Sequence, residues 1–168
     1  MEKEEILLSA REYERLVEEL KYLTGDRRRE VAEKIRKARS YGDLAENSEY
    51  DAAKEEQAKL ESRIAQRKSL MRRARVLQPE DIDTRRVNVG SQVTIVDENE
   101  GSEYTYTIVG AMDSDPSRNR ISYRSPVGKA LYGRKVGESV GVRLPGGLVH
   151  YRIESIEWVG GSGASEGE

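Results

Sequence analysis

The sequence predicts an α+β protein in two parts: an N-terminal antiparallel helical hairpin of coiled-coil type, followed by a C-terminal β domain. Three observations carry this. Residues 9–77 are proline-free and rich in Glu, Lys, Arg, Leu and Ala, all good helix formers. Within that stretch, two heptad-spaced series can be folded onto one another. From residue 87 onward the composition changes to Val, Tyr, Ile, Gly and Ser, with apolar residues in near alternation, the period of strands. The expected divisions are a hairpin domain over 1–79, a linker over 80–86, a β domain over 87–159 and a flexible Gly/Ser tail over 160–168.

The hairpin follows from spacing. One series runs Val17, Leu20, Thr24, Arg27, Val31, Lys34, Ala38, with steps of three and four. The other runs Ala53, Gln57, Leu60, Ile64, Arg67, Met71, Ala74 with the same steps. Val17 and Ala74, Leu20 and Met71, Val31 and Leu60, and Ala38 and Ala53 all share one index sum, as two antiparallel arms require. The fold point falls between Ala45 and Glu46. Each arm has about 28 residues, or roughly 42 Å at the α-helical rise. Alanines face each other near the fold point, so the tip is slim. Arg27 facing Ile64, Thr24 facing Arg67 and the nearby Gly25 predict a local break or bend in the first arm.

In the second half, SQVTIVD, EYTYTIVG, RISYRS, SVGVRL and VHYRIESIEWV read as strands. Pro79 and the polar run LQPEDIDTRR mark the boundary before them.

Charge and composition limit the functions open to the chain. Its 168 residues carry a net charge of −2, so it is not built to hold duplex DNA by bulk electrostatics. With no cysteine and a single histidine, His150, disulfides, thiolate metal sites and histidine-rich metal sites are excluded. No apolar run approaches the roughly 20 residues that span a bilayer, and the acidic N-terminus lacks a signal-peptide pattern. A soluble cytoplasmic protein without a membrane partner is expected. Charge is also segregated. Residues 42–56 hold Asp43, Glu46, Glu49, Asp51, Glu55 and Glu56 against Lys54. Residues 57–75 hold Lys59, Arg63, Arg67, Lys68, Arg72, Arg73 and Arg75 against Glu61. An acidic tip on a basic shaft would suit guidance of nucleic-acid phosphates; charge runs are equally the mark of a solvated helix face.

Asp43 and Glu46 at the tip admit two readings. As a cap and its partner three residues on, they fit the start of the second helix. As convergent carboxylates, they fit a weak Mg²⁺ site completed by other groups, since Mg²⁺ is usually held by one or two carboxylates with phosphates and water. Spacing does not separate the two.

The run Ala38-Arg39, Gly42-Asp43-Leu44-Ala45-Glu46-Asn47-Ser48-Glu49-Tyr50-Asp51-Ala52-Ala53-Lys54-Glu55-Glu56-Gln57 resembles the signature of the GreA/GreB transcript cleavage factors. Ile108-Val109-Gly110, Asp115-Pro116, Ile121-Ser122, Ser125-Pro126, Ala130-Leu131, Gly133, Val136-Gly137 and Pro145-Gly146-Gly147 follow in the family's order. The resemblance implies an FKBP-like C-terminal domain that docks on RNA polymerase at its secondary channel. It also implies a hairpin that carries two acids to the active centre, where a backtracked nascent RNA 3′ end is hydrolysed. By position the resemblance assigns those acids to Asp43 and Glu46, sharing an Mg²⁺ with the polymerase, and implies a transcription elongation factor that is not a free-standing enzyme. Arg39, Asn47, Tyr50 and Lys54 are then expected to contact RNA or the polymerase active centre, and Ser125 and Pro126 to meet the polymerase rim. Ser48 and Gly128 replace common alanines, and Ala111-Met112-Asp113-Ser114 replaces an acidic stretch, which touches docking and not the two acids. Three alternatives remain: a channel-binding inhibitor without cleavage; a prolyl isomerase, for which the absence of Phe leaves little to line an aromatic pocket; and a coiled-coil adaptor that dimerises, where a hairpin burying its own seam predicts a monomer.

Overall fold

The computed structural model describes residues 5–42 and 47–160. They divide into two compact units, residues 13–74 and residues 5–12 with 75–160. The tail residues after Gly160, the fold point at Ala45–Glu46 and Asp43 lie outside the described residues.

The first unit is the hairpin. Helix α1 (Ala10–Tyr22) continues through a π-helical turn, Leu23–Arg27, into α2 (Arg28–Arg39), and α3 (Ser48–Arg73) is the returning arm. Leu20, Leu23, Val31 and Ile35 pack with Ala53, Leu60 and Ile64, joined by the partly buried Tyr50 and Met71. The break expected at Gly25 takes the form of the π turn, and it corrects the expected seam. A π turn carries an extra residue, which rotates everything before it by roughly 100° relative to an unbroken helix. Leu16 and Leu23 are therefore buried where Val17 and Thr24 were expected, and Val17 is 39% exposed. Past the turn, Ile35 replaces Lys34 on the seam while Val31 and Ala38 keep their places. Thr24 sits inside the turn and donates its hydroxyl to the Leu20 carbonyl at 2.7 Å.

The first arm is also shorter at its outer end than the helical composition implies. Strand β1 (Ile6–Leu8) precedes α1, and α3 stops at Arg73, where Ala74 turns extended and opens strand β2 (Ala74–Val76). The two strands form a two-stranded sheet, extended by the Leu77 N–H donating to the Leu8 carbonyl at 2.9 Å. Ala74, expected opposite Val17, is thus a strand residue.

The second unit is built on a five-stranded sheet in the order β5-β4-β3-β7-β6. Its strands are β3 (Ser91–Asp97), β4 (Glu103–Val109), β5 (Arg120–Ser122), β6 (Ser139–Leu144) and β7 (Gly147–Trp158). The β4–β5 pair is parallel; the other three pairs are antiparallel. β3 alternates buried and half-buried residues along its whole length, the pattern of one face turned to a core. That core gathers Val87, Val93, Ile95, Ile108, Leu131, Val140, Val142, Tyr151 and Ile153. Leu131 comes from a short helix, α4 (Pro126–Leu131), which directly follows the expected strand RISYRS, of which only Arg120–Ser122 is strand. A helical hairpin followed by a β domain is the architecture expected from the sequence.

Candidate functional site

The described end of the hairpin is defined by how α2 stops and α3 starts. The last carbonyls of α2 are satisfied locally: Ser40 N–H donates to Arg36 and Lys37, Tyr41 N–H to Ala38, and Gly42 N–H to Arg39. Gly42 adopts φ +107°, a conformation open to glycine and costly for other residues, so the helix stop read from the sequence is where it was expected.

The start of α3 shows which residue caps it. The cap of α3 is Asn47, in extended conformation, whose side-chain oxygen accepts from the Tyr50 N–H at 3.1 Å. Glu49 and Asp51 occupy the first turn, the place where acids complement the helix dipole. The cap of α3 is therefore Asn47 and not Asp43. Asp43 and Glu46 themselves lie outside the described residues.

Three of the expected contact residues come together here. The Asn47 side-chain amide also donates to the Ala38 carbonyl in the last turn of α2. The Arg39 guanidinium lies 6.0 Å from the centre of the Tyr50 ring, at the outer range of a cation–π contact. Lys54 stands apart, exposed one turn further along α3, and donates to Gln57 at 3.0 Å.

Along the shaft, part of the basic charge is paired with acids. Arg27 and Lys34 both bond Glu56, Lys34 at 3.1 Å. Arg28 clasps Glu61 through two bonds, at 2.9 and 2.8 Å. Arg63 and Arg67 share Glu19 at 2.6 and 3.2 Å, and Lys59 pairs with Glu55. Hydrogen bonds from Lys34 and then Arg27 hold the Glu56 carboxyl below its ordinary range, and Arg28 does the same for Glu61. Within the basic run over 57–75, Arg63 and Arg67 are thus met by Glu19 of α1 and Lys59 by Glu55 of its own helix.

The expected docking pair, Ser125 and Pro126, forms the start of α4. Ser125 is its N-cap: the hydroxyl accepts from the Gly128 N–H at 3.1 Å and donates to the Ser122 carbonyl at 2.7 Å. Pro126 sits at the first helical position, where its fixed φ suits the helix and its missing N–H costs nothing. A Cβ on Gly128 would lie 2.1 Å from the Ser122 oxygen, so the glycine is what lets this turn close.

A second polar site, within the sheet unit, went unread in the sequence. Ser9 and Glu12 form a reciprocal capping box at the start of α1: Ser9 N–H donates to Glu12 at 2.9 Å, and Glu12 N–H to the Ser9 hydroxyl at 3.1 Å. The other Glu12 oxygen accepts from the Met112 N–H at 3.0 Å, and a Cβ on Gly110 would fall 1.9 Å from the carboxylate. Burial pushes the Glu12 carboxyl above its ordinary value, and the nearby Asp113 adds to this. A cavity of about 160 Å³ opens beside it, lined also by Gly90, Gln92, Thr107, Asp113 and Arg120. That lining mixes polar and aliphatic groups and holds no aromatic ring, unlike the pocket an isomerase needs; tyrosines pack on one another instead, Tyr104 with Tyr106 and Tyr151, and Tyr123 with Tyr132. Ser9-x-x-Glu12 was legible as a helix start and was overshadowed by the heptad pattern. Among the described residues, no group of three or more His, Cys, Asp or Glu side chains converges as a metal site.

Comparison with known proteins agrees across the chain. Residues 6–76 match the family model described as transcription elongation factor, N-terminal, and residues 82–158 the one described as transcription elongation factor, GreA/GreB, C-term. The chain is 47% identical to transcription elongation factor GreA of Caldanaerobacter subterraneus subsp. tengcongensis, over 90% of its own length and 96% of the relative's. The same figures hold for GreA of Thermoanaerobacter pseudethanolicus. Among solved structures, GreA factor homolog 1 of Thermus thermophilus is similar at 28% identity and a TM-score of 0.43, over 91% of this chain and 99% of that one.

Proposed function

Starting from a chain that belongs to the GreA/GreB family of transcription elongation factors, we propose that it binds RNA polymerase through the secondary channel and stimulates hydrolysis of the 3′ end of backtracked nascent RNA. The observation that carries this reading is Asn47. It caps α3, so that cap does not call on Asp43 or Glu46, which supports reading the two acids as ligands.

The donor set fits the cation proposed. Two carboxylates are hard oxygen ligands of the kind Mg²⁺ takes, and two alone leave most of its octahedral shell to water, phosphate and the polymerase's own groups. Asp43 and Glu46 would hold that shared ion, which when bound supplies charge stabilisation at the phosphate and a more acidic water. The rest of the chain's part is mechanical. Asn47, Arg39 and Tyr50 join the two helix ends, and the Glu56, Glu61 and Glu19 ion pairs tie the arms together along the shaft. In this reading the chain is not an enzyme on its own, acts as a monomer in the cytoplasm, and meets RNA only inside the elongation complex. Lys54, exposed near the tip, is the cation best placed for RNA phosphates, and the α4 turn at Ser125 and Pro126 is the surface for the polymerase rim.

The test is a cleavage assay on backtracked complexes with the cognate polymerase. The double change Asp43→Asn with Glu46→Gln should abolish stimulation while leaving competition for polymerase binding intact. Unchanged cleavage by that variant would refute the assignment, and a wild-type chain that binds but only slows the polymerase would establish the inhibitor instead.

A further inference from the structure

We propose that Asn47 is a positioning residue, whose side-chain amide braces the last turn of α2 against the first turn of α3 so that the segment carrying Asp43 and Glu46 leaves and returns at fixed points. This rests on the function proposed above and replaces the RNA contact expected for Asn47 from the sequence.

The argument is in the polarity of its two bonds. The Oδ1 atom accepts from Tyr50 N–H, which any good N-cap achieves. The Nδ2 atom donates across the hairpin to the Ala38 carbonyl. Among the preferred caps, Asp has no donor and Ser and Thr have a shorter reach; asparagine alone offers an acceptor for its own helix and an amide donor for the opposite one. The approach is possible because the facing residues are Ala38 and Ala53, both buried and both small. The Arg39–Tyr50 contact also joins α2 to α3. Two catalytic carboxylates must be held within a fraction of an ångström of productive geometry, and this pair of ties lies at the last described turn before them and the first after them.

The chain has no cysteine, so labels can be placed cleanly at Lys37→Cys and Asp51→Cys, both exposed, one on each helix end. Spin-label distance distributions are measured on the full chain in the Asn47, Asn47→Ser and Asn47→Asp backgrounds, with the helix signal as a check on folding. Ser and Asp keep the cap and lose the amide donor; Asp guards against any loss of helix in the Ser variant, because its carboxylate caps as well as asparagine. Both should keep helix content and broaden the distribution. In unlabelled protein, both should lower the maximal cleavage rate about tenfold, the scale of a modest misplacement, with an unchanged half-maximal factor concentration and a raised Mg²⁺ requirement. A distribution as narrow as that of the parent, a wild-type cleavage rate, or a raised half-maximal concentration at full rate would each overturn the brace; the last would make Asn47 a contact residue. The distances need no polymerase. If Asp43→Asn with Glu46→Gln leaves cleavage intact, the proposed function fails while the brace is still judged by the distances.

Discussion

The hairpin and the sheet unit are held by different forces, and two glutamates show it. Glu56 on the hairpin lies at the surface, tied by Lys34 and Arg27, and those bonds lower its pKa. Glu12 in the sheet unit is 1% exposed, held by backbone N–H groups of Ser9 and Met112, and burial raises its pKa. One unit is a thin apolar seam flanked by ion pairs; the other is a dry core with a polar group locked into its margin. A thin seam leaves polar side chains on both flanks free to pair across the arms. A two-sided sheet with a covering helix can bury a carboxylate only if backbone donors meet it.

The largest effect should come from the dry core. Ile95 is fully buried at the centre of β3, so Ile95→Ala should destabilise the sheet unit by about 3 kcal/mol, transfer and cavity together. Trp158, the only tryptophan, lies in β7 and reports this unit by fluorescence during urea unfolding. If the far-UV helix signal falls by as much as the tryptophan signal, the two units do not unfold separately and the contrast is broken.

Next in size is the cap of α4. Ser125→Ala removes an acceptor for Gly128 N–H and should cost about 1 kcal/mol, whereas Ser125→Asp keeps the cap and should cost little. The same pair tests docking: if Ser125 meets the polymerase directly, Asp restores stability without restoring affinity. Equal recovery of both would make the residue a cap alone.

The two glutamates then give opposite pH responses. Glu12 has its folded pKa raised above the ordinary 4.5, so the sheet unit is stabilised below 4.5 and loses that contribution as pH rises through the folded value. Glu56 has its folded pKa lowered, so the hairpin keeps that contribution above 4.5 and loses it as pH falls through the folded value. Melting curves read by Trp158 should therefore improve as pH is lowered toward 4.5, and Glu12→Gln should flatten that trend. Curves read by the helix signal should not improve over the same range and should worsen below it. High salt should weaken the hairpin's exposed pairs and leave the Trp158 curve in place.

Much of this contrast was legible in the sequence, because both units announce themselves by period. The heptad series found Leu20, Val31, Ala38, Ala53, Leu60 and Ile64, and alternation found β3. What failed was whatever a period cannot carry. A single extra residue in the π turn moved the seam from Thr24 to Leu23 and buried Leu16 in place of Val17. β1 and β2 are three residues each, too short for any alternation to register. Counting charge along one helix also missed a partner from the other arm, since Glu19 on α1 reaches Arg63 and Arg67 from far away in sequence. At the tip, the index sum placed Asp43 and Glu46 at the fold point, but spacing did not single out Asn47 as the residue that starts α3. A cap signal was present at Asn47-Ser48; Gly42-Asp43 offered an equally good one five residues earlier.

The smallest effect, and the sharpest for the tip, concerns Tyr50. Its ring packs on the hairpin seam and receives the Arg39 guanidinium on its face. The contact uses the ring and not the hydroxyl, so Tyr50→Phe should leave both the helix signal and cleavage near wild type. Tyr50→Leu keeps apolar volume on the seam but removes the face that holds a cation, so it should lose a further tie between the arms at about 0.5 kcal/mol for an exposed cation–π contact. Arg39→Ala in either background distinguishes a brace from a contact. If Arg39 works through Tyr50, its removal adds nothing to Tyr50→Leu. If Arg39 instead reaches RNA, its removal lowers cleavage equally with Tyr, Phe or Leu at position 50, and the tip would then be held by the Asn47 amide without help from the aromatic ring.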